Sequence, residues 1–200
     1  MRRQSLKELH YITPIENVSL ILKYGILSHV RARQIEHLSV AMGRVQDRRD
    51  HVRVLGNRWL HEYANLYFCA RNPMMYKRKD SHEDLCILPV RAEIVDLPGV
   101  VISDRNAASA EVSFAPAADG LSIVNYRLVF ADSWHQSSFQ AQREHKQTKC
   151  AEVLVPDLVH PGFVLGAYAS GTTGYALLRY KCPSLSVTVN PQLFFQKGRK

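Results

Sequence analysis

The sequence predicts an α+β domain built on a mostly antiparallel, split sheet, and three observations carry that expectation. Short strand-like runs are numerous, only a few stretches carry a helical pattern, and no repeat, low-complexity tract or linker divides the 200 residues. Residues 1–200 are therefore read as one domain. The first strand-like run is Leu9-His10-Tyr11-Ile12. It leads into Thr13-Pro14-Ile15-Glu16, which reads as a helix start with threonine as N-cap, proline at the first helical position and glutamate closing a capping box. Ile15, Val18, Ile21 and Leu22 then share one helical face, and Gly25 supplies the stop. Residues 33–50 are expected to be helical but weakly patterned. Strands are expected near 63–69, 85–95, 99–103, 126–131, 150–155, 163–168 and 185–189, with a short helix over 172–181.

Composition excludes several classes. A hydrophobic fraction of 46% with 22% charged residues is that of a globular chain. No apolar run approaches the ~18 residues that a membrane span needs. The opening MRRQSLKELHYITP has no apolar core of signal-peptide length, so a cytoplasmic location is expected. Cys69, Cys86, Cys150 and Cys182 form no CxxC pair, and the histidines show no zinc spacing, so reduced thiols and no metal are expected. GxGxxG, GxxxxGK[ST] and GxSxG are all absent, which removes support for a dinucleotide fold, a P-loop or a serine hydrolase.

The net charge of +8 points to an anionic partner. Residues 31–58 concentrate it, with seven arginines and no lysine against Glu36, Asp47 and Asp50. Arginine makes planar, bidentate phosphate contacts that lysine does not. Arg71, Lys77, Arg78 and Lys79 form a second group after an aromatic stretch.

The most informative segment is Lys149-Cys150-Ala151-Glu152-Val153-Leu154-Val155-Pro156. Alternation along a strand sets Cys150, Glu152 and Leu154 on one face, so a carboxylate projects from an apolar element. That is costly unless the group is paired, hydrogen-bonded or lining a cleft. Two more segments accompany it in order. One is His10-Tyr11-Ile12-Thr13-Pro14-Ile15-Glu16-Asn17, running on to Gly25-Ile26-Leu27; the other is Leu60-His61-Glu62-Tyr63-Ala64-Asn65-Leu66-Tyr67-Phe68, followed by Arg71-Asn72-Pro73-Met74-Met75-Tyr76.

Together these segments resemble the DarT family of ADP-ribosyltransferase toxins, whose patterns run approximately HIT-x-x-x-N…IL-x-x-G-[IL], LH-x-Y-x-x-[FL]YF-x-x-x-x-PM and AE-x-L[VI]. SVTVNPQLFF near the C-terminus resembles the family's closing strand, so the likeness covers nearly the whole chain. It implies a small ADP-ribosyltransferase fold, with two packed, mostly antiparallel sheets and flanking helices around an NAD cleft. It implies transfer of ADP-ribose from NAD+ to a base of single-stranded DNA, thymine favoured and guanine possible, and a macrodomain antitoxin as partner. By the same resemblance Glu152 is the catalytic glutamate, and Tyr11, Thr13 and Asn17 contact NAD+. Arg49 is the catalytic and phosphate-binding arginine, with Arg48 the alternative. Tyr63, Tyr67 and Met74 lie beside the nicotinamide. Arg31, Arg33, Arg48, Arg53 and Tyr76 are the candidates for contact with DNA. The sequence departs from the family at Tyr11 and Asn106, where histidine is usual. Taken alone, Tyr63, Tyr67 and Phe68 also read as strand core and Thr13 as a helix cap. Transfer to RNA or protein, or a non-catalytic nucleic-acid-binding module, are the alternative functions.

Overall fold

The computed structural model describes residues 1, 3–38 and 48–196. Ten strands are described: β1 Glu8–Pro14, β2 Ile26–Leu27, β3 Tyr63–Tyr67, β4 Leu85–Arg91, β5 Val101–Ser103, β6 Phe114–Pro116, β7 Glu152–Pro156, β8 Leu158–Val159, β9 Ala167–Ala169 and β10 Val187–Val189. Eight form one sheet in the order β10-β9-β4-β1-β3-β7-β5-β6, and β2 and β8 form a separate antiparallel pair. Every pairing in the large sheet is antiparallel except β10 with β9. β1 meets β4 along seven residue pairs but meets β3 only at His10↔Tyr67. Beyond His10 the two halves part, and that is the split in the sheet.

The main core lies on the face bearing Leu9, Leu66, Phe68, Leu88 and Val153, all completely buried. A smaller cluster on the other side gathers Ile12, Met75, Ile87 and Phe194, with Tyr67 and Met74 against it. The helix after β1 ends as expected at Gly25. Its φ is +91°, and a Cβ there would stand 2.4 Å from the Val159 carbonyl oxygen, so only glycine fits.

Several local expectations are corrected. Thr13 does not cap a helix: it is still paired with Cys86 in β1, which runs on through Pro14. A 3₁₀ turn, Ile15–Asn17, then leads into the helix Val18–Tyr24, and no side chain caps either start. Long-range pairing with β4 has overridden the local capping signal. Residues 126–131 hold a short helix, Tyr126–Val129, because the Asn125 side chain accepts the Leu128 N–H at 3.1 Å. The helix Phe139–Thr148 was not anticipated; it is polar on nearly every side, so no apolar stripe announces it. Within 33–50, Arg33 ends the short helix His29–Ala32, residues 36–38 carry no helix, and Arg48 and Arg49 are helical. The central part of that predicted helix, 39–47, lies outside the described residues. The helix Thr172–Lys181 lies where the sequence puts it. The expected strand at 85–95 ends at Arg91, and the one at 163–168 begins only at Ala167.

Candidate active site

Glu152 opens β7 in the middle of the sheet, with Tyr67 of β3 on one side and Ser103 of β5 on the other. Directly opposed residues of an antiparallel pair share a face. The row Ser103–Glu152–Tyr67–His10 therefore crosses four strands on one surface of the sheet. Leu154, next on that face, packs with Leu60 and Tyr63. The backbone N–H of Glu152 donates to Ser103 Oγ at 3.1 Å, and that hydroxyl donates to the Arg105 carbonyl at 2.7 Å.

The carboxylate of Glu152 is fully buried and paired. Arg49 Nη1 donates to Oε1 at 3.2 Å and Nη2 to Oε2 at 3.1 Å, while the Ala107 N–H donates to Oε1 at 3.0 Å. A carboxylate offers about four acceptor positions. With these three filled, Oε2 keeps one lone pair that no described residue occupies. Among the described residues Arg49 uses two of its five N–H donors.

Arg49 is the arginine that reaches Glu152; Arg48 is exposed. The turn carrying Arg49 is fixed from two directions. The Val52 N–H donates to the Arg49 carbonyl at 3.2 Å, and the Leu60 N–H to the Val52 carbonyl at 2.9 Å. Asp50 pairs with buried His61 at 2.6 Å, and the His29 ring lies 4.2 Å from that of His61. Burial disfavours the charge on Arg49, but the Glu152 carboxylate outweighs it and raises the guanidinium pKa further. Burial lowers the pKa of His61 against the opposing pull of Asp50.

Tyr67 stands across from Glu152. Burial, then the Glu152 carboxylate, push its phenol well above the usual range, so at neutral pH it is a hydrogen-bond donor. The Tyr11 phenol, pushed up to about 12 by burial, lies near enough to add to that shift. Thr13 and Asn17 meet one another, Nδ2 to Oγ1, at 3.3 Å. Asn17 also clamps the backbone of Leu38, accepting its N–H at 3.0 Å and donating to its carbonyl at 2.6 Å. Asn17→Ala is expected to free the Leu38 amide; hydrogen exchange there should accelerate while the β1–β4 amides keep their protection.

The remaining candidates are spread out. Tyr63 is core, with its hydroxyl 3.5 Å from the Leu55 carbonyl. Met74 packs near Tyr67, and Tyr76 on the same short helix, Pro73–Tyr76, is half-exposed. Arg53 is stacked over Trp59 at 3.8 Å and donates to the Asn57 carbonyl. Arg31 lies 3.7 Å from Asp157, and Arg33 is exposed. Sequence reasoning missed Ser103, Asp50, His61 and the Ala107 N–H as parts of the site. His61 sits in a quoted motif and Ala107 directly follows Asn106, but nothing singled out Ser103. Among the described residues no cluster suits a metal ion, and no helix is long and apolar enough to cross a membrane.

Residues 10–195 match the sequence model of the family described as DarT, ssDNA thymidine ADP-ribosyltransferase. A DNA ADP-ribosyl transferase–DNA ADP-ribosyl glycohydrolase fusion protein from Thermosipho africanus (strain H17ap60334) is 33% identical over 97% of this chain. The chain spans only 51% of that protein's length. The solved structure of Thermosipho africanus DarTG in complex with ADP-ribose superposes with a TM-score of 0.86 at 30% identity, covering 96% of this chain and 52% of that one. Thermus sp. 2.9 DarT in complex with ADP-ribosylated ssDNA gives a TM-score of 0.80 at 21% identity, covering 95% of this chain and 97% of that one, a likeness of fold.

Proposed function

Because this chain belongs to the DarT family, we propose that it transfers ADP-ribose from NAD+ to a thymine base of single-stranded DNA, releasing nicotinamide. The observation that carries the proposal is the buried fork of Arg49 on Glu152, with one carboxylate lone pair left open. Breaking the bond between nicotinamide and ribose builds positive charge on the sugar, as in glycoside hydrolysis. A fixed carboxylate stabilises that charge more in the transition state than in the ground state. In this reading Glu152 accepts a hydrogen bond from the ribose 2′-hydroxyl through its free Oε2 position. The ring nitrogen of the base attacks the anomeric carbon as nicotinamide leaves with the bonding electrons, and the ring N–H proton passes to Glu152 at that same Oε2 position, which the 2′-hydroxyl gives up. Arg49 holds the carboxylate and turns its spare donors toward the pyrophosphate. Tyr11, Thr13, Tyr67 and Met74 border the nucleotide, Tyr63 packs in the core, and Asn17 holds the segment at Leu38 against β1. Acting on single strands avoids the cost of extracting a base from a duplex.

The Thermosipho relative joins a DNA ADP-ribosyl transferase to a DNA ADP-ribosyl glycohydrolase. By analogy, we propose that residues 1–200 form one catalytic domain of a toxin acting on DNA in the cytoplasm, and that its antitoxin is a macrodomain partner that removes the modification from the DNA. The test is mass spectrometry of a random single-stranded oligonucleotide pool incubated with the protein and NAD+. A gain of one ADP-ribose on thymine is expected; labelling of RNA or protein in its place overturns the acceptor.

The charge supports a second measurement. Binding to single-stranded DNA is expected to weaken with salt at a logarithmic slope of about −0.7 per phosphate neutralised. Replacing Arg31, Arg33 and Arg53 together by alanine should flatten that slope; an unchanged slope removes these residues from the DNA path.

A further inference from the structure

An aromatic cluster beside the site has no part in the chemistry above. Tyr76, Trp134 and Phe195 come from three distant parts of the chain and meet edge to face. Ring centroids are 5.5 Å apart for Tyr76–Trp134, 5.1 Å for Tyr76–Phe195 and 5.7 Å for Trp134–Phe195. Two cations flank them: the Arg71 guanidinium lies 4.1 Å over the Phe195 ring, and the Lys79 ammonium 5.9 Å from that of Tyr76. Tyr76 is 46% exposed, and Phe195 sits in the left-handed region at φ 60°, unusual for a bulky residue. A closed core would not leave a tyrosine ring half in water beside two cations.

The cluster is continuous with the catalytic face. Phe195 and Met74 pack in the same apolar group as Tyr67, the cross-strand neighbour of Glu152. The loop bearing Trp134 is tied to the start of β7 as well: the buried Lys149 ammonium donates to the carbonyls of Val129 at 3.0 Å and Ala131 at 2.6 Å. That same loop ends on Phe139, 94% exposed at the first position of its helix.

We infer that the exposed Tyr76 ring, braced edge-on by buried Trp134 and by Phe195 and flanked by Arg71 and Lys79, forms a subsite on which an unpaired base next to the modified one stacks while the cations meet its phosphate. The inference rests on the single-stranded DNA reading above. An exposed aromatic ring such as that of Tyr76, with cations adjacent, suits an unstacked nucleobase, because every base has a π-face and every linkage a negative charge. Duplex DNA keeps its bases stacked and has no face to offer the tyrosine ring.

The chain has two tryptophans, Trp59 and Trp134, so a Trp59→Phe variant leaves Trp134 as sole reporter. Titrating that protein with a single-stranded dT oligonucleotide of about ten nucleotides should quench Trp134 emission saturably, and the matching duplex should not. Tyr76→Leu should raise the dissociation constant for dT roughly 10- to 100-fold, and Tyr76→Phe, which keeps the ring, should restore it. The melting temperature of each variant reports whether the cluster still folds. Should Tyr76→Leu be misfolded, Lys79→Ala on the same rim, expected to weaken dT binding several-fold, takes its place. If dT binds all folded variants equally while wild type still modifies DNA, the subsite is overturned and the proposed function stands. If wild type neither binds nor modifies DNA but labels RNA or protein, the proposed function fails and the subsite with it.

Discussion

Glu152→Gln is expected to cut transfer by about 10²–10³-fold or more, the size of effect seen when one preorganised electrostatic group is removed from an active site. The amide keeps the shape of the carboxylate, and its oxygen can still accept from Arg49 Nη1 and the Ala107 N–H, although its NH2 then faces the Arg49 Nη2 donor; NAD+ binding should survive with a smaller loss of stability than full truncation brings. It cannot carry the negative charge that balances the sugar cation, nor take the proton from the base. Glu152→Ala is a harsher change. It strands the Arg49 guanidinium, only 7% exposed, without its anion, and breaking a buried pair of this kind costs about 3–5 kcal/mol. Comparing the two separates chemistry from stability: turnover should collapse in both, and the melting temperature mainly in the alanine variant. A glutamine variant that retains appreciable turnover would remove Glu152 from the mechanism.

Arg49→Ala should be the second large effect, with the same physical origin seen from the other side. Glu152 is fully buried, and without Arg49 only the Ala107 N–H, among the described residues, remains to stabilise its charge. Transfer and stability should fall together, stability by about 3–5 kcal/mol. Arg49→Lys keeps a charge but loses the two parallel N–H bonds that hold the carboxylate in one orientation, so it should recover folding better than activity. Arg48→Ala, at an exposed neighbouring position, should behave much like wild type. Kinetics and thermal denaturation of the three variants check the ranking. A larger loss at Arg48 would show that the fork on Glu152 is not the arrangement that works.

The sequence by itself determined the strands near 63–67, 85–91, 101–103 and 152–155, the helix at 172–181, the stop at Gly25 and the anomalous carboxylate at Glu152. Each is a local signal: alternation, periodicity, a left-handed backbone position or a charge within an apolar run. The tertiary structure alone decided what Glu152 is paired with, since Arg49 lies 103 residues away and the choice between it and Arg48 depends on how one turn is anchored. It also decided that Thr13 is a strand residue, because seven pairings between β1 and β4 outweigh one helix cap. Ser103 and the Ala107 N–H were illegible for a related reason. A backbone donor or a small hydroxyl carries no pattern in the chain, and it acquires a role only when the sheet brings β5 alongside β7 and the following loop back onto the carboxylate.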